Sequence, residues 1–166
     1  MKRHVTADID PEALFDLHLP PDWRPVTVPV GRSFALSGDI ERYGDDSCSV
    51  PVSVDMWVVA TETESDADAA ERLMARRVRQ GHPDRFVGSI AGMVARGFEW
   101  TDGVRRIVSY FVNHPTGALV EISVATLFYP DEPLPPRPLR KFADELFAST
   151  VAVLPPTHAE SLARED

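Results

Sequence analysis

The chain has 166 residues, 43% hydrophobic and 26% charged, and carries a formal net charge of −9 at pH 7. One domain accounts for that length, and domains of about 150 residues bury roughly 70% of their unfolded surface, so no disulfide or metal is needed to hold the fold. The negative charge argues against a nucleic-acid partner and against docking on an anionic membrane, since both select an excess of Lys and Arg.

The N-terminal residues hold no apolar run of signal-peptide length. No stretch approaches the roughly 18 apolar residues of a membrane span. The expected compartment is therefore the cytoplasm. Residues 1–10 read as a flexible N-terminus, 11–154 as a single domain and 155–166 as a disordered tail.

In chain order, "ALFDLHLP" alternates, with Phe15, Leu17 and Leu19 on one side, and predicts a strand. "PPDW" is a turn that delivers Trp23 to an extended segment, and Pro25 and Pro29 confine that segment to a sheet edge. "RSFALSGDIERY" is a further extended candidate, and "GDDSCS" around Cys48 is a loop. "VPVSVDMWVVATET" predicts a strand, with Val52, Val54, Met56 and Val58 on one face and Ser53, Asp55, Trp57 and Val59 on the other.

The period then changes to that of a helix. Ser65 opens a capping-box-like S-x-x-D, and Ala70, Leu73, Met74 and Val78 form an apolar stripe. Gly81 and Pro83 stop it, which predicts a helix over 65–80. Acids precede bases along this segment, as the helix macrodipole favours, and Asp68 to Arg72 is an i, i+4 pair. A solvated, self-neutralising face is the expected reading of that pattern, ahead of a partner-binding patch.

Three strands follow, at 85–100 with a weak point at Gly92, at 103–113 and at 118–128, joined by the short turns "TDG" and "NHPTG". In the last of them both faces are apolar or small, which predicts a central strand covered on both sides. The proline-rich "PDEPLPPRP" leads to an amphipathic helix in which Leu139, Phe142, Ala143, Leu146 and Phe147 repeat, and "TVAVL" packs back. Strands in runs with helices apart predict an α+β fold, a three-layer α/β/α sandwich with a twisted, mainly antiparallel sheet.

Chemistry is sparse. The five histidines are scattered, with no H-x-x-x-H or C-x-x-C, so no metal site or cofactor is expected. No G-x-S-x-G, Gly-rich phosphate loop or G-x-G-x-x-G occurs, and no catalytic residue is assigned. Cys48 follows two aspartates, which disfavour its thiolate. "HPD" at 82–84 has a strand after it and reads as a helix-stopping loop. In the hairpin "GFEWTDGVRRIVSYFVNH", Arg96 and Arg106 are placed on the aromatic-rich side with Trp100 and Tyr110, within reach of Glu99 or Glu121. Packing is the first reading of these residues. The sharper one is an anion site at Arg96 and Arg106. The candidate binding residues of a pocket between sheet and helices are Arg96, Trp100, Arg106, Tyr110 and Glu121.

"HLPPDW" near the start, "GSIAGMVARGFEW…VRRIVSYFVNHPTGALVEISVAT" and a final "FADELFASTVAVL" together resemble the PsbP-like/DcrB-like superfamily, which includes LpqN-type lipoproteins and type VI secretion effector-associated chaperones. The resemblance spans about residues 14–154. It implies an α/β/α sandwich and a binding or adaptor role more than catalysis. The expected function is a non-catalytic adaptor or chaperone module that holds a protein partner, with a homodimer through a sheet edge compatible with it. The alternative is a small-molecule-binding protein or enzyme with a pocket between sheet and helices.

Overall fold

A computed structural model describes residues 9–36, 52–61, 67–79, 81–127 and 138–154. In chain order they form β1 (Phe15–Asp16), β2 (Trp23–Val26), β3 (Arg32–Leu36), β4 (Val52–Ala60), α1 (Ala69–Arg77), β5 (Asp84–Ile90), β6 (Met93–Thr101), β7 (Arg105–Asn113), β8 (Leu119–Leu127), α2 (Pro138–Phe147) and β9 (Val151–Ala152). Seven of the strands make one sheet in the order β2-β3-β4-β8-β7-β6-β5, and every ladder in it is antiparallel. β1 and β9 form a separate two-stranded ladder that ties the two ends of the domain together. His114 fastens this clasp. It accepts from the Thr116 N–H at Nδ1, which leaves Nε2 to donate to the Val153 carbonyl at 2.9 Å.

The expected α+β, three-layer α/β/α sandwich is overturned. Among the described residues strand makes up 49% and helix 19%, with two α-helices, so the fold they form is sheet-dominated. Length explains the difference. A helix of nine or ten residues is about 14–15 Å long, whereas seven strands span roughly 29 Å. One such helix per face cannot form a layer. The double-sided apolar character of β8 comes instead from its central place between β4 and β7, where Val120, Ile122 and Val124 on one face are wholly buried.

The strand expected over 85–100 is two strands. Ala91 (φ 54°) and Gly92 (φ 77°) make a two-residue turn with positive φ at both positions, the geometry whose twist matches a tight hairpin. The helix expected over 65–80 starts at Ala69 and ends at Arg77, because Val78 is already extended (φ −88°, ψ 104°) and packs toward Trp100. Residues 1–8, the loop around Cys48, Ser65 of the expected capping box, the proline-rich connection at 128–137 and the tail at 155–166 lie outside the described residues.

The sheet's two faces are packed differently. On one, α2 lays Leu139, Ala143 and Phe147, spaced at i, i+4, i+8, onto Val108, Tyr110, Ile122 and their neighbours. On the other, α1 lays Ala70 and Met74 onto Phe98, Phe111 and Leu119. Two glycines make the α2 face possible. A Cβ at Gly88 would stand 2.7 Å from the Tyr110 ring, and one at Gly97 would enter the Phe86 ring. Phe86 and Tyr110 meet edge to face at 5.5 Å over this cleared ground.

Gly97→Ala is therefore expected to cost about 1–3 kcal/mol by overpacking, read as a lower urea midpoint. Phe86→Leu should recover part of that loss in the double variant. An unchanged midpoint for Gly97→Ala would show that the ring yields freely.

Candidate functional site

On the α1 face, Glu121 of β8 is the centre of the polar arrangement. Its register neighbours are Trp57 on β4 and Phe111 on β7. Only 4% of its side chain is exposed, and a carboxylate so placed requires a counter-charge. Arg77, at the last turn of α1, supplies it through Nη1 to Oε2 at 2.7 Å and Nη2 to Oε1 at 2.8 Å. The Trp57 indole N–H donates to Oε1 at 2.6 Å. The guanidinium lies 5.6 Å from the Trp57 ring centre and 5.8 Å from that of Trp100, so it is held between two indoles. Trp100 is fixed in turn by its N–H to the Ser109 hydroxyl at 3.0 Å.

Beside this cluster runs a cleft of about 500 Å³ between α1 and the β6–β7 turn. Ile107, Ser123 and Ala125 line it from the sheet, and Trp57 and Trp100 from the side. Arg76, Arg77, Arg79 and Arg105 enter it as cations, against Asp55, Asp102 and Glu121. Arg77 is spent on Glu121 and Arg105 on Asp102, at 2.9 Å. Arg76 and Arg79 form no ion pair with any of the described residues, and both are exposed. Burial pushes the Asp102 carboxyl up. The N–H groups of Val104 and Arg105 and the Arg105 guanidinium outweigh it and hold the group below the usual carboxylate range.

The opposite face carries a second charged cluster. Arg106 and Glu99, both almost buried, form an ion pair, and Arg140 of α2 reaches Glu99 at 3.1 Å and Asp84 at 2.8 Å. Arg140 also stacks on Phe86 at 4.1 Å. The Tyr110 hydroxyl donates to Asp144, and the whole residue is buried.

The five residues singled out in the sequence are thus divided between the two faces. Trp100, Glu121 and Arg96 are on the α1 face; Arg106 and Tyr110 are on the α2 face. Trp100 is paired with Ile107 and Thr101 with Arg106, so even-numbered residues of β6 share a face with odd-numbered residues of β7. Arg96 is exposed, and its charge reaches Glu71 rather than the cleft. Trp100 and Arg106 both line a smaller cleft of about 230 Å³ with His82 and Asp84, at the end of the sheet. Sequence reasoning missed Arg77, Trp57 and Arg105. For Arg77 a signal existed, because it continues the Ala70–Met74 stripe by three residues and so points at the sheet.

Among the described residues no group of three or more His, Cys, Asp or Glu is arranged to hold a metal ion, and no helix is long and apolar enough to cross a membrane.

Two substitutions probe these clusters. Glu121→Ala leaves Arg77 without its counter-charge. Because a quarter of the Arg77 side chain is exposed, the expected loss is about 2–3 kcal/mol, below the 3–5 of a fully buried pair. Urea unfolding followed by tryptophan fluorescence measures it, and a loss under about 0.5 kcal/mol would mean that water replaces the partner. Burial raises the Tyr110 phenol well above its ordinary value near 10, and the Asp144 hydrogen bond and charge add to the effect. The neutral phenol is the form that the fold favours. Its contribution is full below pH 10 and is lost as pH rises above that value. Tyr110→Phe should then lose less stability between pH 9 and 11.5 than the parent, and parallel pH profiles would contradict the assignment.

No family model matches the chain, and no curated protein matches it. Among solved structures it is similar to the crystal structure of LpqN, a protein involved in cell envelope biogenesis of Mycobacterium tuberculosis. The identity is 16%, over 83% of this chain and 82% of that one, with a TM-score of 0.43. The PsbP-like/DcrB-like superfamily is not confirmed by these comparisons. A TM-score of this size does not establish a common fold.

Proposed function

We propose that this chain is a non-catalytic binding protein, an adaptor or chaperone that holds an acidic segment of a protein partner in the cleft beside α1. The observation that carries this reading is the pair Arg76 and Arg79. They stand beside two tryptophans at an open cleft, in no ion pair with any of the described residues, in a chain whose net charge is −9. A protein with an acidic surplus has many carboxylates with which to neutralise its own arginines. Two left over at one cleft offer charge complementarity to a partner.

The shape of the cleft supports the reading. Its walls are the half-buried Trp57 and Trp100 beside exposed arginines, so apolar and acidic residues of one extended segment find contacts together. Among the described residues the lining has no histidine, cysteine or lysine. Two of its three carboxylates are engaged with arginines, and the third, Asp55, stands in register with the one hydroxyl of the lining, that of Ser123. With no imidazole or amine beside that pair, holding a segment is the use the lining supports best.

The test is fluorescence anisotropy with a labelled peptide that alternates glutamate with leucine and phenylalanine, beside its glutamine counterpart. The glutamate peptide should bind and weaken as salt is raised, and Arg76→Glu with Arg79→Glu should reduce affinity at least tenfold. Both positions are exposed, so circular dichroism should be unchanged. Equal binding of the two peptides, or indifference to the double variant, would remove the cleft from consideration. Full competition by millimolar inorganic phosphate or a small dicarboxylate would turn the reading toward a small-molecule ligand.

A further inference from the structure

The seven-stranded sheet ends in β2 on one side and β5 on the other. The two edges are not alike. β2 has four residues, and one of them, Pro25, has no N–H to offer, which blocks further pairing. β5 runs for seven residues, Asp84–Ile90, with no proline and no lysine. An edge of that length without a blocking device is rare in a protein that stays alone.

Ile90 and Met93 close the two-residue turn, so Ile90, Gly88, Phe86 and Asp84 direct their backbone groups to β6. Arg85, Val87 and Ser89 consequently present N–H and C=O outward. Val87 is 80% exposed, and Val94, diagonal to it on the same face, is 77% exposed. They are the two most exposed large apolar side chains among the described residues.

We propose that β5 pairs antiparallel with β5 of a second copy about a two-fold axis at Val87, continuing the sheet across both chains. The register is self-complementary. Val87 meets Val87 of the second copy, and Arg85 meets Ser89, so no like charges are opposed on that face. On the α2 face, Phe86 of the second copy comes opposite Gly88. There a cleft of about 580 Å³ runs between β5 and α2, lined by Phe86, Gly88, Ala91, Phe147 and Ala148 among others. Each Phe86 ring stays on its own Gly97 and Tyr110, and Tyr110 already fills the space over Gly88, so this pairing meets no steric conflict on the α2 face. A register shifted by two residues toward Asp84 would oppose Phe86 to Phe86 and leave Gly88 facing Asp84. One shifted the other way would oppose Gly88 to Gly88. Only the Val87 register sets the two exposed Val87 side chains against each other.

Sedimentation of the purified chain from 1 to about 100 μM should show a monomer–dimer equilibrium. Val87→Lys, which sets two ammonium groups opposite each other, should raise the dimer dissociation constant at least tenfold. Oxidative cross-linking in a Cys48→Ser background separates register from mere proximity. Val87→Cys should form covalent dimers, whereas Val104→Cys, 61% exposed in the β6–β7 turn, should not. A chain that stays monomeric at 100 μM, a dimer indifferent to Val87→Lys, or cross-linking at 104 in place of 87 would each overturn the proposal.

Discussion

The Glu121 carboxylate sits in the middle of the central strand with almost no access to water, and it would be intolerable there alone. Arg77 answers it from α1, and this fixes where the helix must end and how it must be turned. The buried apolar contacts of α1 with the sheet are made by Ala69, Ala70 and Met74, which are small or adaptable and specify an orientation poorly, and a second, more exposed pair joins Glu71 to Arg85 of β5 at 2.8 Å. A bidentate guanidinium–carboxylate pair is far more directional. Ion pairs of this kind add little net stability once desolvation is counted. Here the pair sets geometry. It holds α1 over one part of the sheet, and the cleft runs along the flank of the helix so placed.

The two faces show two ways of satisfying charge on a mainly apolar sheet. On the α2 face Glu99 takes two arginines, one from β7 and one from α2, and Arg140 extends its plane over Phe86. The cluster is enclosed, and its charges are spent internally. On the α1 face the basic residues of the helix outnumber the acids they meet, so pairing is incomplete. The same residue type serves as structural cement on one side and as exposed charge on the other. The distinction comes from how much of each face a short helix can cover.

Much of the architecture was legible in the sequence. Alternation located the strands, Gly92 marked the place where one run becomes a hairpin, and Leu139, Ala143 and Phe147 announced the buried side of α2. The layer count was not legible, because apolar residues on both faces of β8 are required equally by a helix layer and by a central position under flanking aromatics. The candidate site failed for a different reason. Alternation tells which residues of one strand share a face, but joining two strands requires the loop length. The loop 102–105 holds four residues, and an even number pairs even positions with odd ones. Trp100 and Arg106 are therefore parted, though six residues of spacing had placed them together. Had the turn been read as Thr101 paired with Arg106, the division would have followed from the sequence alone.

Net charge and the charge at the cleft are different quantities. A total of −9 describes the field at a distance, where it disfavours nucleic acid and anionic lipid. Within a Debye length of about 8 Å the local set of side chains decides, and at the cleft that set has four arginines and three acids. A long acidic polymer feels the whole molecule and is repelled, whereas a short acidic segment feels mainly the cleft. Pairing at β5 would bear on this selectivity. A two-fold axis perpendicular to the sheet keeps like faces together, so two such clefts would open on the same side of one continuous sheet. Two acidic segments joined by a flexible linker could then bind with an effective concentration set by that linker. Affinity would come from the spacing of the clefts as much as from the contacts within either one.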